Sequence, residues 1–167
     1  QIPSVSSETS PAAKFYKLMI SKEEQRCAIP FIVTSKNKGF EITKEAEAYL
    51  QTLENRRLGI VSIAGKYRTG KSYFLNKLIQ NKAEKRGFEV GPTVNSCTKG
   101  IWLWPQTFKS ENPDEEGMDI LVLDTEGFGG INENQNHDNR IFIFSLLLSS
   151  MFIYNSIGSI DENALQT

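Results

Sequence analysis

The chain has 167 residues, of which 39% are hydrophobic and 23% are charged, which is ordinary for a globular protein and enough for one domain with a buried core. Its 19 lysines and arginines against 20 acidic residues leave a net charge of −1, so no overall charge draws the chain to nucleic acid or to anionic lipid. The two cysteines have no CxxC partner, which argues against a disulfide framework or a zinc site and predicts a reducing, cytoplasmic location.

The N-terminal part predicts an unstructured start, then a hairpin and a helix. Residues 1–13 are rich in serine, and we expect them to be disordered or extended. The chain begins with Gln rather than Met, which suggests a cut or processed end. Residues 28–33 predict an edge strand, because their proline cannot donate a ladder hydrogen bond, and a turn leads into a strand at 40–42. Thr43 then caps a helix predicted over 44–54.

The segment from Gly65 to Ser72 fits G-x-x-x-x-G-K-[ST], the pattern of a phosphate-binding loop. An apolar strand predicted at 58–64 precedes it and a helix predicted at 72–79 follows, which is the order that such a loop requires. Backbone N–H groups at the mouth of a helix can converge on a triphosphate; an ordinary glycine turn is the alternative. We therefore expect a nucleoside triphosphate to be bound by Gly65, Lys66, Tyr67, Arg68, Thr69, Gly70, Lys71 and Ser72.

Three side chains of this loop have specific expected roles. Lys71 would reach the β- and γ-phosphates as a point charge, and Ser72 would give its hydroxyl to Mg²⁺. Arg68 is either a solvated arginine or an internal arginine finger that swings onto the developing charge, and its position alone does not decide between the two.

Two segments downstream of the loop are candidates for contact with Mg²⁺ and the γ-phosphate. Asp124 follows an apolar strand predicted at 118–123 and begins D-x-x-G, in which the carboxylate serves the metal and the N–H of Gly127 faces the γ-phosphate. An N-cap or turn aspartate is the alternative. Within residues 94–101, Thr98 is the candidate for sensing Mg²⁺ and the γ-phosphate, and a surface threonine before a strand is the alternative.

The segments around this second motif predict a strand pair and a loop. Residues 101–104 predict a strand that pairs antiparallel with the strand at 118–123, and the acidic stretch 109–117 between them predicts a turn. Residues 127–139 predict a long polar loop. The loop holds the only histidine, His137, whose plainest interpretation is a solvated residue.

The C-terminal part predicts a helix and a strand inside the domain. Residues 140–149 are apolar on nearly every face and predict an enclosed helix, and residues 150–154 predict a buried strand. The uncharged stretch 141–160 is long enough to cross a membrane as a helix, which is the alternative interpretation. Its serines, Asn155 and Gly158 disfavour that alternative.

Four segments together resemble the GTPase domain of the guanylate-binding protein and atlastin family of dynamin-like large GTPases. They are GKYRTGKS at 65–72, SCTKGIW at 96–102, DTEG at 124–127 and FIYNSIG at 152–158. Tyr-Arg-Thr inside the loop, and Asp-Thr-Glu-Gly rather than Asp-Thr-Ala-Gly, are not typical of small GTPases. The order of segments is closer to guanylate-binding proteins than to atlastins, and the resemblance runs from about residue 26 to residue 167.

The resemblance implies Mg²⁺-dependent hydrolysis of GTP, coupled to a homodimer that forms through the nucleotide face. Arg68 would act as an arginine finger in cis once two domains dimerise. Ser72, Thr98 and Asp124 would bind Mg²⁺. Ser96, and Glu126 through a water, would position the attacking water. Many guanylate-binding proteins have histidine where this chain has Cys97, which puts in doubt the fine positioning of the first switch segment, residues 94–101.

The resemblance also implies parts that the printed sequence does not contain. The family reads guanine through an Arg-Asp pair after a later strand and through a cap loop, and neither occurs before residue 167. We therefore expect a partial GTPase domain over 14–167 that lacks the guanine-recognition strands and leaves an apolar sheet edge exposed. Membrane association would depend on a region beyond residue 167, and no nucleic-acid partner is expected.

The predicted fold is an α/β P-loop NTPase domain with a mostly parallel sheet, an antiparallel edge pair and helices on both faces. The strands at 100–105, 118–124, 58–64 and 150–155 should be adjacent in that order, with the ligand at their carboxyl ends. Three alternatives to GTP hydrolysis stay open from the sequence. They are an ATPase, a nucleotide-gated interaction or membrane-remodelling module with negligible hydrolysis, and a fragment that binds nothing.

Overall fold

The computed structural model describes residues 28–35, 39–79, 87–88, 100–129 and 135–157. Its sheet has seven strands, which are β1 (Ile29–Ser35), β2 (Gly39–Ile42), β3 (Leu58–Gly65), β4 (Ile101–Leu103), β5 (Phe108–Lys109), β6 (Asp119–Thr125) and β7 (Met151–Asn155). The helices are α1 (Lys44–Gln51), α2 (Lys71–Ile79) and α3 (Gln135–Leu148), and a short 3₁₀-helix covers Pro113–Glu115. The predictions for residues 1–13 lie outside the described residues.

The strand order is β2-β1-β4-β6-β3-β7, with β5 pairing β6. This confirms the predicted order of β4, β6, β3 and β7 and the antiparallel pairing of β4 with β6. β3 runs parallel to both β6 and β7, in a register that pairs Ile63 with Asp124 and Gly65 with Asn155. The carboxyl ends of parallel strands meet at one edge of the sheet. Asp124 and Asn155 therefore lie close to the start of the phosphate loop.

The α/β fold class is confirmed, but the antiparallel part of the sheet is larger than the predicted edge pair. β1 pairs antiparallel with both β2 and β4, so the prediction that residues 28–33 form an edge strand is wrong. The register of β1 against β4 shifts between Pro30 and Ile32. A bulge of this kind tolerates the missing N–H of a proline inside a sheet, and the proline therefore marks the bulge rather than an edge.

Helices cover both faces of the sheet. α1 and α3 pack on the face that carries Leu121 and Leu123, whereas α2 packs through Leu75 against Val122 on the other face. The predicted cap of α1 is confirmed, because Thr43 Oγ1 accepts a hydrogen bond of 3.2 Å from Ala46 N–H. α1 ends at Gln51 rather than at residue 54, and turns follow it.

Three predictions about the C-terminal part are wrong. β7 is not the buried strand predicted at 150–154, since Met151 is 59% exposed and the other residues of β7 are only partly buried. α3 begins at Gln135 rather than at residue 140, so the end of the predicted polar loop is helical. The helix is also not enclosed, since Ile143 is 51% exposed and Leu147 is 76% exposed, and no described element covers that side. In the described ranges, no helix is long and apolar enough to cross a membrane.

Ion pairs hold the start of β6. Asp119, at the start of β6, forms ion pairs with Arg56 at 2.5 Å and with Lys109 at 2.7 Å. The hydrogen bond from Lys109 is the main cause that lowers the pKa of Asp119 below its ordinary value, and Arg56 adds to it against the opposing effect of desolvation. Residues 109–117, predicted as a turn, contain the end of β5 and the 3₁₀-helix.

Candidate functional site

The phosphate-loop motif forms the connection between β3 and α2, as its sequence predicts. Inside the loop, the Lys66 carbonyl accepts hydrogen bonds from Thr69 Oγ1 at 2.8 Å and from Lys71 Nζ at 3.2 Å. Among the described residues, no backbone hydrogen bond outside helices and strands uses the N–H groups of residues 68–72. These N–H groups lie at the start of a helix, where an anion is favoured by both the free donors and the helix dipole.

Lys71 projects from the loop into the protein rather than into solvent. Its residue exposure is only 6%, and an alanine-type Cβ placed on Gly127 would lie 2.9 Å from its Nζ. Burial lowers the pKa of Lys71 from its ordinary value, while the nearby carboxylates of Asp124 and Glu126 act in the opposite direction. An incoming polyanion would therefore stabilise an ammonium group that has lost much of its hydration.

Ser72 and Asp124 meet at the carboxyl edge of the sheet. Ser72 Oγ donates to Asp124 Oδ2 at 2.5 Å, and Asp124 is fully buried. A hydroxyl and a carboxylate are oxygen ligands of the kind that Mg²⁺ prefers, and Mg²⁺ usually takes one or two protein oxygens and completes its shell with phosphate and water. The two side chains predicted as metal ligands from separate motifs thus fit Mg²⁺ by their chemistry and by their contact.

The D-x-x-G segment is docked on the phosphate loop. Phe128 N–H donates to the Gly65 carbonyl at 3.1 Å, and Tyr67 N–H donates to the Phe128 carbonyl at 2.9 Å. A Cβ on Gly127 would lie 2.5 Å from Tyr67 Cα, so only glycine permits this approach. The arrangement places the Gly127 backbone directly beside the loop and the Lys71 amine.

Glu126 lies between the D-x-x-G segment and the start of β4. It is 2% exposed, its N–H donates to the Gly100 carbonyl at 2.8 Å, and its Oε2 accepts from Gly100 N–H at 2.7 Å. The same oxygen is 3.0 Å from His137 Nε2. Glu126 therefore holds Gly100, the residue at which the segment containing Ser96 and Thr98 reaches the sheet.

The interpretation of His137 as a solvated loop residue is wrong. It lies in α3, its side chain is 18% exposed, and its ring stacks on Phe40 with centroids 5.4 Å apart. The sequence did contain a signal for this position. His137, Ile141 and Ser145 are four residues apart and so lie on the same side of a helix, and Ile141 and Ser145 are both fully buried.

Two other residues at the site were missed from the sequence. Asn155 Nδ2 donates to the Thr69 carbonyl at 2.9 Å and lies 3.1 Å from Thr69 Oγ1, so the end of β7 supports the phosphate loop. Asp138 Oδ2 accepts from Gly129 N–H at 2.8 Å and supports the D-x-x-G segment. The position of Asn155 at the end of an apolar strand was the available signal.

Arg68 lies on the outside of the loop. Its side chain is exposed, its guanidinium carbon is 6.0 Å from the centroid of the Tyr67 ring, and its φ is 60°. A non-glycine residue in this left-handed conformation carries strain of about 1–2 kcal/mol. The structure thus brings the other described residues predicted for the site together and leaves the Arg68 side chain outside. Ser96 and Thr98 lie outside the described residues and stay predictions.

Comparison with known proteins gives one family. Residues 37–167 match the family model described as guanylate-binding protein, N-terminal domain. The chain is 47% identical over 107 residues to Guanylate-binding protein 1 of Homo sapiens, and this alignment covers 64% of this chain and 17% of that protein. It is 36% identical over 137 residues to Guanylate-binding protein 5 of Mus musculus, and that alignment covers 81% of this chain and 22% of that protein. The chain thus spans about a fifth of the length of these relatives.

Proposed function

The chain belongs to the guanylate-binding protein family, a family of GTP-binding large GTPases, and from that premise we propose that it carries the triphosphate- and Mg²⁺-binding part of a domain that hydrolyses GTP. The observation that carries this proposal is the contact of 2.5 Å between Ser72 Oγ and Asp124 Oδ2, beside loop amides that no described backbone group uses. An ordinary glycine turn would not align a free anion site with two oxygen ligands.

The phosphates are held by the loop in this proposal. The N–H groups of residues 68–72 surround the β-phosphate, and Lys71 reaches the β- and γ-phosphates from its buried position. The Gly127 N–H faces the γ-phosphate from the opposite side. This geometry favours a triphosphate over a diphosphate, because only the triphosphate meets both segments.

Mg²⁺ would be held by Ser72 and Asp124, with Thr98 as the third proposed protein group. The ion, when bound, neutralises charge on the β- and γ-phosphates. The carboxylate of Asp124 is fixed for this role at the end of β6, and the hydroxyl of Ser72 is fixed in the first turn of α2. Neither side chain needs a rotation of the backbone to meet the other.

The proposed catalytic groups are Arg68, Ser96 and Glu126. The exposed side chain of Arg68 would move toward the phosphates when a second domain covers the nucleotide face. Glu126 Oε2 already accepts from Gly100 and His137, so water positioning together with Ser96 would use the other carboxylate oxygen. Homodimerisation, a cytoplasmic location and association with membrane surfaces belong to the proposal as well.

The test compares nucleotide binding and turnover in three variants of the purified protein. Lys71→Ala should abolish binding of a fluorescent GTP analogue, and Arg68→Ala should bind it normally but hydrolyse GTP about 10³-fold more slowly. Lys77→Ala is the matched control, because Lys77 is an exposed lysine on the same helix. If the Arg68 variant hydrolyses GTP at the wild-type rate, Arg68 is not an arginine finger, and if the Lys71 variant still binds the analogue, Lys71 does not hold the phosphates.

A further inference from the structure

A cluster of four side chains, which are Thr34, Phe40, Glu126 and His137, connects α3, the D-x-x-G segment and the β1–β2 hairpin. His137 lies at its centre, with Nε2 3.0 Å from Glu126 Oε2 and Nδ1 3.5 Å from Thr34 Oγ1. The ring plane is inclined by 21° to that of Phe40, on which it stacks. The histidine is therefore held from both sides and is not a surface residue that meets Glu126 by chance.

The carboxylate of Glu126 needs this support. A carboxylate oxygen accepts hydrogen bonds, so Oε2 is fixed by two donors, the His137 ring and the Gly100 N–H at 2.7 Å. At 2% exposure, Glu126 has little water to replace either donor. Removing the imidazole would leave a buried carboxylate with one of these two donors missing.

The pair of Glu126 and Gly100 joins the two segments that the proposed function assigns to the γ-phosphate. Each residue donates its N–H to the other, to a carbonyl oxygen in one direction and to a carboxylate oxygen in the other. Gly100 lies directly before β4, and a Cβ on it would be 2.1 Å from the Ile32 carbonyl oxygen, so its backbone is packed tightly against β1. A carboxylate that moves would release the end of the segment that carries Ser96 and Thr98.

We propose that His137 is a positioning residue for GTP hydrolysis, which fixes the Glu126 carboxylate and through it the position of Gly100 beside the D-x-x-G segment. This inference rests on the proposed function. His137 touches neither the phosphate loop nor Asp124 in any described contact, so it acts through Glu126 alone. Its loss should slow turnover and leave nucleotide affinity nearly unchanged.

The test uses two substitutions that separate the ring from its N–H group. His137→Phe keeps an aromatic ring to stack on Phe40 but has no donor, and we expect kcat to fall about tenfold or more, with the affinity for a non-hydrolysable GTP analogue changed by less than about twofold. His137→Gln supplies an N–H donor of similar reach and should restore most of kcat. Asn139→Ala, an exposed change on the same helix, is the control and should turn over GTP normally.

A second measurement is independent of catalysis. In the nucleotide-free chain, hydrogen exchange of the Gly100 amide should be about tenfold faster in His137→Phe than in wild type and normal in Asn139→Ala. The inference is overturned if His137→Phe keeps the wild-type kcat and the wild-type exchange at Gly100, or if its loss appears in nucleotide affinity rather than in kcat. It is equally overturned if His137→Gln loses as much kcat as His137→Phe. Absence of GTP turnover in the wild type would contradict the proposed function, whereas the exchange result would still decide whether His137 holds Glu126.

Discussion

Replacing Gly127 by alanine should separate the D-x-x-G segment from the phosphate loop. The added Cβ would lie 2.5 Å from Tyr67 Cα and 2.9 Å from Lys71 Nζ, both closer than real Cβ contacts. The lysine side chain can move, but Tyr67 Cα belongs to the backbone. The clash is therefore relieved only if the two segments move apart.

The cost of that movement follows from two hydrogen bonds. The bonds from Phe128 N–H to the Gly65 carbonyl and from Tyr67 N–H to the Phe128 carbonyl would be lost. At about 0.5–1.5 kcal/mol each, their loss lowers the free energy of unfolding by roughly 1–3 kcal/mol. For a domain of this size, the melting temperature should fall by roughly 2–12 °C. Affinity for the GTP analogue should fall as well, because Lys71 is displaced.

Hydrogen exchange distinguishes this effect from general destabilisation. The Tyr67 and Phe128 amides should exchange much faster in Gly127→Ala than in wild type. Gly129→Ala is the control in the same segment, since a Cβ there meets nothing within 4 Å and the variant carries only the strain of a φ of 74°. Its Tyr67 and Phe128 amides should stay protected. If both amides stay protected in Gly127→Ala, the two segments do not depend on the close approach of Gly127 to Tyr67.

Three further predictions concern the supports of the site and the sheet. Asn155→Ala removes the bonds to Thr69 and should weaken binding of the GTP analogue about tenfold, measured by titration; unchanged affinity would mean that β7 does not support the loop. Because the pKa of Asp119 is lowered below its ordinary value of 3.8, its stabilising effect is complete above that pH and is lost as the pH falls through the lowered value. The melting temperature of wild type should therefore exceed that of Asp119→Asn at pH 7, and the difference should shrink below pH 3.8; a constant difference would contradict the assignment. Thr43→Ala should lower the free energy of unfolding by about 1 kcal/mol in urea titrations, and no change would show that its hydroxyl does not cap α1.

The centre of the fold could be predicted from the sequence because its signals are local. The apolar run of β3, the glycines of the loop and the helix after it follow one another along the chain, and the aspartate of D-x-x-G ends another apolar run. Parallel pairing of β3 with β6 then fixes Ser72 close to Asp124. Each member of the proposed Mg²⁺-binding pair was thus predicted from its own local motif, and only the contact between them depends on the pairing of distant strands.

The errors come from non-local packing. Pro30 signals that a donor is missing, but whether this means an edge or a bulge depends on the partner strand β4. The first residues of α3 are polar, so the sequence predicts a loop rather than a helix around His137. The side of α3 that carries His137 is buried by contacts with Glu126 and Phe40, which belong to other segments. An apolar composition likewise does not say which face of α3 is covered, and Leu147 is in fact exposed.

The most direct test of the central claim is a titration of the amide resonances of residues 68–72 with a non-hydrolysable GTP analogue and Mg²⁺. If main-chain N–H groups of this loop capture the phosphates, these resonances shift more than those of any other described segment, and the shifts disappear in Lys71→Ala. Saturable binding that leaves these five resonances in place would contradict the account.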